Sequence, residues 1–258
     1  MKNFKILLSA FLMLPLLVLA QEKHKDSIIE KPERPAFESA TLIDNATNVV
    51  FSKNTLEVQM QHRFDMMDKE NSLLGIYGSA NIRIGLSYSI LDRLAIGYGI
   101  TKTNRLHDFN WKVALLRQTR SDKIPVSLTY FGNFVIDGRS GDVYDDVFIA
   151  TEDRYSNFHQ LIIARRFSPK FSFQIAPSIS HYNTVESFME NDRIAVAFGG
   201  RLKISPQTSI LVDYSQQLTN FDDDDYNNAG ISFGVEFGTS AHTFQLFLTN
   251  FNGIVPQQ

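Results

Sequence analysis

The sequence contains no cysteine among its 258 residues. It therefore cannot form a disulfide, a thiolate metal site or a cysteine nucleophile. A lipid anchor on a cysteine behind a leader peptide is excluded for the same reason. There is also no large excess of one charge, because 25 basic and 28 acidic residues give a net charge of −3. Nucleic-acid-binding proteins need a clustered basic face, so we expect no nucleic-acid partner.

Long apolar runs are missing, apart from one at the N-terminus. The mean hydropathy of −0.14 is too polar for a bundle of transmembrane helices, but it is ordinary for a membrane β-barrel. The N-terminal run at 6–19 follows Lys2 and Lys5 and precedes Ala20. It is shorter than the ~20 residues that a spanning helix needs. Residues 1–20 are therefore predicted to be a cleaved signal peptide, and the alternative is an uncleaved N-terminal anchor.

The mature chain begins with a segment that has little periodicity. Residues 21–50 are polar and contain Pro32 and Pro35. We predict a periplasmic N-terminal lead-in that can fold partly into a barrel mouth. Residues 51–258 are predicted to form the outer-membrane β-barrel.

Alternation of apolar and polar residues dominates the rest of the chain. At 56–64, for example, Leu56, Val58 and Met60 alternate with polar residues. A period of two indicates strands, because successive side chains leave opposite faces of a strand. The pattern predicts about eleven strands, near 56–64, 80–90, 94–101, 108–117, 126–136, 157–167, 171–181, 194–204, 210–217, 231–237 and 242–250.

Three features favour a membrane barrel over a soluble β-sandwich. Most predicted strands are close to the ~9–11 residues of a tilted membrane-spanning strand, whereas strands in soluble proteins have roughly five or six. Short and long links alternate, which is typical of outer-membrane barrels. Many of the 21 phenylalanines and 9 tyrosines fall near strand ends, as expected at a membrane interface. The predicted fold class is all-β, an antiparallel up-and-down transmembrane β-barrel.

The strand count does not fit a closed barrel with both termini on one side. Such a barrel needs an even number of strands, so about twelve are expected and about eleven are present. The tail at 251–258 looks like the start of another surface loop. We expect that the last strand is absent from this sequence, and the alternative is a miscount by one. An open seam would leave unpaired backbone groups facing lipid, which is unfavourable.

Turn lengths and one proline predict local details of the sheet. If the strands at 194–204 and 210–217 pair around a five-residue turn, Arg201 faces Asp213. A turn at 239–240 places Glu236 opposite Thr243. Pro177 cannot donate to a β-ladder, so we expect a bulge there.

The polar face of the strands supplies the main functional hypothesis. An interior with both charge signs can either line a narrow pore or fill a small barrel with ion pairs. We predict a narrow channel or small-solute transporter with selectivity set by rings of charge. The alternative is a structural or surface-interaction barrel with a plugged lumen and no transport. The candidates to line the lumen are Glu57, Gln59, Gln61, Arg63, Asn81, Arg83, Arg201, Lys203, Asp213 and Glu236.

Catalytic signatures are missing from the sequence. It contains neither HExxH nor GxSxG, so we predict no enzyme, no catalytic residues, no metal site and no cofactor. An outer-membrane hydrolase stays a distant third possibility. His181 is the nearest candidate base for such an enzyme, but no well-placed serine accompanies it.

One acidic run is a weak candidate for a surface cation site. Four consecutive carboxylates in a predicted loop offer oxygen ligands of the kind that Ca²⁺ or Mg²⁺ prefers. The spacing of an EF-hand is absent, and a solvated loop is the alternative interpretation. The run consists of Asp222, Asp223, Asp224 and Asp225.

Several segments, in this order along the chain, carry a family resemblance: 34–45, 55–57, 61–64, 81–86, 91–94, 158–161 and 176–178. Together they resemble an uncharacterised outer-membrane β-barrel family of Gram-negative bacteria, classed as a domain of unknown function. The resemblance implies a barrel in the cell envelope and no known activity. It also implies a further strand beyond this chain's end. We therefore expect outer-membrane lipid and the barrel-insertion machinery as partners, and the oligomeric state is left open.

Overall fold

The computed structural model describes residues 30–67, 73–139, 148, 150–223 and 227–257. Eleven long strands form a single sheet, and a separate two-stranded hairpin precedes them. The strands are β1 (Thr41–Leu42), β2 (Asn45–Ala46), β3 (Leu56–Arg63), β4 (Asn81–Leu91), β5 (Leu94–Thr101), β6 (His107–Leu116), β7 (Ser127–Ile136), β8 (Tyr155–Arg166), β9 (Phe171–Tyr182), β10 (Asp192–Lys203), β11 (Thr208–Gln217), β12 (Gly230–Gly238) and β13 (Thr243–Thr249). Two short 3-10 helices, Thr103–Arg105 and Thr151–Arg154, lie in links. All eleven predicted strands are confirmed, with ends within about two residues.

The topology is the simplest one available to an antiparallel sheet. Each strand from β3 to β13 pairs with its neighbours in sequence. This confirms the predicted all-β, up-and-down arrangement. The first and last strands, β3 and β13, have no pairing with each other in the described part of the chain, so the sheet is not closed. We call the gap between them the seam.

The two faces of the sheet have opposite polarity. In β4, Ile84 and Leu86 are exposed, whereas Arg83 is buried. Asp108 of β6, with 0% of its surface exposed, is among the most deeply buried residues. An apolar outer face and a polar inner face reverse the pattern of a soluble protein and are typical of a membrane barrel. In the described residues, no helix is long and apolar enough to cross a membrane.

The sheet curls around a segment of the chain that precedes it. A flat sheet of this many strands would be roughly 50 Å wide, since strands lie ~4.8 Å apart. Nevertheless, Thr41 hydrogen-bonds to Gln59 of β3 and to Gln245 of β13. One residue reaches both edge strands only if the sheet bends into a nearly complete barrel.

The two rims differ in the length of their links. One rim carries 92–93, 167–170, 204–207 and 239–242, together with the link at 117–126. The opposite rim carries 64–80, 137–154, 183–191 and 218–229, together with the brief link at 102–106. We call them the short-link rim and the long-link rim. The chain first reaches the barrel at the short-link rim, where Pro32 forms a β-bridge with Thr119. It returns to the same rim before β3, and there the Lys53 amide donates a hydrogen bond to the Asp92 carboxylate at 2.8 Å.

The predicted cross-strand partners were wrong by two residues. Arg201 lies opposite Leu211, and Glu236 lies opposite Gln245. The turn between β10 and β11 and the turn between β12 and β13 differ from the predicted turns. This difference shifts the register of each strand pair. Since a shift of two returns each side chain to the same face, Arg201 and Glu236 still point inward.

The predicted bulge at Pro177 was also wrong. Pro177 pairs with Val196 of β10 in regular register. On its other side, the pairing of β8 with β9 omits the residues around Pro177 and resumes unshifted at Ile163 and Ile175. A local gap in the ladder therefore accommodates the missing N–H group. Register shifts lie instead at Ser89–Leu91 and Ala114–Leu116.

The polarity of the outer face predicts a depth-dependent effect of added charge. Replacing Leu86, in the middle of β4, by arginine should destabilise the folded barrel by about 2–4 kcal/mol, because the guanidinium would lie near the bilayer midplane. Leu91→Arg, at the rim end of the same strand, should change stability by about 0–1 kcal/mol. Reversible urea unfolding in phospholipid vesicles measures both. Equal losses at the two positions would contradict a membrane-spanning β4.

Candidate functional site

The candidate functional site is the interior of the barrel, which part of the chain occupies. Residues 36–50, which we call the plug, run through the space inside the curled sheet. The hairpin of β1 and β2 forms their centre. Sequence reasoning assigned this stretch to a periplasmic lead-in with partial entry into the mouth, whereas the structure places it deep inside.

The tip of the plug adopts an unusual backbone conformation. Ile43 has φ = 49°, a left-handed value that is rare for a β-branched residue. Such a conformation costs on the order of 1–3 kcal/mol and persists only where its surroundings enforce it. Here the Ile43 side chain is only 2% exposed, and its N–H donates to the Gln245 side chain at 3.1 Å.

One side of the plug is apolar and packs on strands β7 to β11. Phe37, Leu42 and Ile43 form a buried cluster with wall residues that include Ile162 and Leu211. Small residues leave the space for this contact. A Cβ atom added at Gly199, for instance, would lie 2.4 Å from the Leu42 Cδ2 atom. The wall is therefore shaped to the plug.

Asp213 of β11 fixes the turn of the plug. Its Oδ2 atom accepts hydrogen bonds from the backbone N–H groups of Asp44 and Asn45, both at 3.1 Å. Its Oδ1 atom accepts from the Asn45 side chain at 2.9 Å. The same amide nitrogen also donates to Ser215 at 2.9 Å. One buried carboxylate thus satisfies backbone donors that would otherwise be unpaired.

Asp44 of the plug connects the two sides of the seam. Its carboxylate forms an ion pair with Arg63 of β3 and accepts a 2.6 Å hydrogen bond from Ser232 of β12. Burial raises the pKa of the Asp44 carboxyl, and the Arg63 guanidinium opposes that shift. Arg63 also lies over the Phe247 ring of β13, 4.7 Å from its centroid. Side chains of β3 and β13 thus meet inside the barrel although their backbones do not pair.

The plug has polar contacts with several other strands. The Lys112 ammonium of β6 donates to the Ala40 carbonyl at 2.8 Å. The Gln174 amide of β9 donates to the Ala46 carbonyl at 2.9 Å. Arg201 of β10 reaches the carboxylate of Glu38 at 3.3 Å. Together with Asp213 and Ser232, these side chains hold the plug from most of the circumference.

A small cavity with both polar and apolar lining remains beside the plug. It has a volume of about 70 Å³ and is lined by inward residues of β3 to β7, among them Glu57, Gln61 and Lys112. In its wall, Arg83 and Asp108 form a bidentate pair with N–O distances of 2.8 and 2.7 Å. Because small-molecule sites usually enclose roughly 300–1,000 Å³, this cavity suits water molecules rather than a solute.

The C-terminal tail covers the long-link mouth instead of forming the predicted surface loop. Ile254 and Val255 are buried, and Val255 packs with Leu106 and Val135. The Gln257 side chain donates to the Asn133 side chain at 2.8 Å. Residues 250–257 therefore cover part of the mouth at the end opposite to the plug's entry.

The residues predicted to line the lumen lie at inward positions of their strands. Asp108 and Lys112 of β6 and Asp44 of the plug belong to the same polar interior but were missed by sequence reasoning. The sequence did contain a signal for the plug: apolar residues such as Ile162 and Leu211 occupy inward positions, and they indicate that an apolar segment packs against them inside the barrel. The predicted residues at inward positions are Glu57, Gln59, Gln61, Arg63, Asn81, Arg83, Arg201, Lys203, Asp213 and Glu236.

The other candidates do not form a site in the described part of the chain. Asp222 and Asp223 lie in a link, while Asp224 and Asp225 fall outside the described residues. Within the described residues, no group of three or more potential metal ligands occurs. The His181 ring nitrogens contact Asp192 at 2.7 Å and Asn183 at 3.1 Å, so neither contacts a serine hydroxyl.

The contacts of Asp213 predict how tightly the plug is held. Asp213→Ala leaves buried donors of Asp44 and Asn45 unpaired, which costs about 1–3 kcal/mol for each group. Backbone amides of 40–48 should then exchange with deuterium about tenfold faster or more. Mass-spectrometric hydrogen exchange of the folded barrel measures this. Asp122→Ala at the short-link rim, which removes an exposed ion pair with Arg165, should leave that exchange unchanged.

Comparison with known proteins gives one match. A family model described as a membrane bound beta barrel domain (DUF5777) matches residues 37–258. The matched region begins within the plug and includes the whole sheet. No curated protein and no solved structure matches the chain.

Proposed function

The chain belongs to the family of membrane-bound beta barrel domains of unknown function, and on that premise we propose that it is an outer-membrane barrel held closed by its own plug. In this resting state it is not an open diffusion pore. The protein acts as a closed barrel that presents its long-link rim for binding. Any passage of solute requires the plug to move.

The observation that carries this proposal is the two-sided fit of the plug. On the β7 to β11 side it is packed by apolar contact with residues such as Ile162 and Leu211. Its turn is held by Asp213, and Asp44 pairs with Arg63. A segment that only rested in the mouth would need neither a shaped wall nor buried polar partners.

A gated narrow channel is the second candidate, and the small cavity favours it. Gln59, Arg63 and Lys112 of the wall from β3 to β6 form polar contacts with the plug, and water-sized space lies beside them. If the plug shifts toward β9, the path that opens is lined by Glu57, Arg83 and Lys112. Such a path carries both charge signs, so the residue that protrudes farthest sets its ion preference.

The outer-membrane location and export are part of the proposal. Supporting features are the basic and apolar N-terminus at 1–20, the apolar outer face and the alternation of link lengths. We propose the barrel-insertion machinery and membrane lipid as partners and no enzymatic activity.

Export predicts a defined mature protein. Mass spectrometry of the protein from an isolated outer-membrane fraction should find an N-terminus at Gln21, because the cleavage site follows Ala20. In electrophoresis, the unboiled sample should migrate differently from the boiled one if a stable barrel is present. Recovery of an uncleaved chain in the inner membrane would overturn the proposed export route.

Closure by the plug predicts the conductance of the protein. The unchanged chain in planar bilayers should show rare, brief currents. Leu42→Ser combined with Ile43→Ser removes the apolar anchor of the plug, at a cost of about 2 kcal/mol or more for each side chain. Stepwise openings should therefore become at least about tenfold more frequent.

The matched control is Arg34→Ala, which changes an exposed residue just before the plug. It should leave the frequency of openings as it is in the unchanged chain. Large steady currents from the unchanged chain would refute closure by the plug. If the double variant stays silent while still folded, the gated-channel candidate fails and a closed barrel without transport remains.

A further inference from the structure

A second, larger cavity lies at the long-link mouth. Its volume is about 570 Å³, and it is lined by the ends of β7 to β10 and by the C-terminal tail. We call it the mouth cavity. Its size falls within the roughly 300–1,000 Å³ of small-molecule sites. Neither the family description nor the proposed closure by the plug assigns it a role.

The floor of the mouth cavity is apolar and separates it from the lumen. Leu106, Val135 and Val255 line the cavity and form a buried cluster. Because Val255 belongs to the C-terminal tail, that tail provides part of the floor. Tyr182, whose hydroxyl donates to the Gln257 carbonyl at 2.5 Å, anchors the tail and lines the cavity as well. A ligand in this position would contact the floor without entering the barrel.

Arg154 and Arg193, two of the three arginines that line the cavity, lie on either side of β9. Arg193, near the start of β10, lies over the Tyr182 ring at 4.2 Å and over the Phe221 ring at 4.9 Å. Arg154, which precedes β8, donates to the backbone carbonyls of Asp137 and Arg139. Neither guanidinium has a carboxylate partner in the part of the chain that the structure describes.

The three carboxylates that line the cavity differ in their partners. The carboxylate of Asp137 pairs with Arg139 at 2.6 Å. The carboxylate of Asp153 accepts a 2.8 Å hydrogen bond from the Ala150 N–H. The carboxylate of Glu186, which is exposed, has no hydrogen bond or ion pair within the described residues. The described lining thus contains three carboxylates and three guanidinium groups, and Arg154 and Arg193 are the two guanidinium groups without an ion-pair partner there.

We propose that the mouth cavity binds a small organic anion, a carboxylate with an apolar or aromatic body. Stacking on Tyr182 and Phe221 holds the plane of the Arg193 guanidinium. Its Nε and Nη2 atoms donate to Glu190 and Met189, and its Nη1 atom supplies the N–H groups for a carboxylate. The carboxylate bridges Arg193 and Arg154, and charge-assisted hydrogen bonds of this kind are the strong ones. The apolar body rests on Leu106, Val135 and Val255.

The proposal is tested by calorimetric titration of the full chain in lipid nanodiscs. The probes are 1-naphthoate and its neutral analogue 1-naphthamide, which share the aromatic body and differ in charge. Naphthoate should bind saturably, and the amide should bind about tenfold or more weakly, because it lacks the charge-assisted hydrogen bonds. Equal affinity for the two probes, or no saturable binding of naphthoate, overturns the proposal.

Substitution of Arg154 and Arg193 tests whether naphthoate binds in the mouth cavity. Arg154→Gln combined with Arg193→Gln should weaken naphthoate binding about tenfold or more. Arg165→Gln is the matched control, because Arg165 is an arginine of β8 that lies at the opposite rim and pairs with Asp122. If the double variant folds and binds like the unchanged chain, the site lies elsewhere and the proposal fails. If the double variant does not fold, the difference in affinity between naphthoate and naphthamide for the unchanged chain still tests the proposal.

Discussion

The inner face of the sheet has to satisfy its own polar groups, and the rest of the structure depends on this constraint. Asp108, Asp213 and Glu236 are almost completely buried, and buried charges are unfavourable unless they are paired. Arg83 and Arg201 of the wall satisfy two of these carboxylates. The third, Asp213, is satisfied by the plug. The plug is thus a structural part of the barrel as well as an obstruction.

Because the seam is open, the plug has a second structural role. Backbone groups of β3 and β13 are not paired with each other in the described residues, and unpaired edges are unfavourable in lipid. From inside, Thr41 bonds to Gln59 and Gln245, while Asp44 bonds to Arg63 and Ser232. These contacts hold the two edges of the sheet near each other. Closure of the lumen and integrity of the wall are therefore coupled, so a movement that opens one strains the other.

The strands were predictable because their signal is local. An alternation such as that of 56–64 needs no knowledge of distant residues, and it placed Arg83 and Arg201 on the polar face of their strands, where the structure buries both side chains. The exact partners across the sheet were not predictable, since the register of Arg201 and Glu236 depends on turns whose conformation the sequence leaves open. The mouth cavity was missed for a related reason. Arg154 and Arg193 are far apart in sequence, and only the ends of β8 to β10 bring them together.

By itself, the sequence determined that this chain forms an antiparallel sheet with an apolar outer face and a charged inner one, because the alternation of apolar and polar residues with a period of two is a property of neighbouring residues. Only the tertiary structure decided what fills the interior. The residues at 36–50 have little periodicity, and their burial follows from the match between Leu42 and the space at Gly199, and between Asp213 and the donors of the turn. Such a match joins groups far apart in the chain, so it exists only once the sheet has curled.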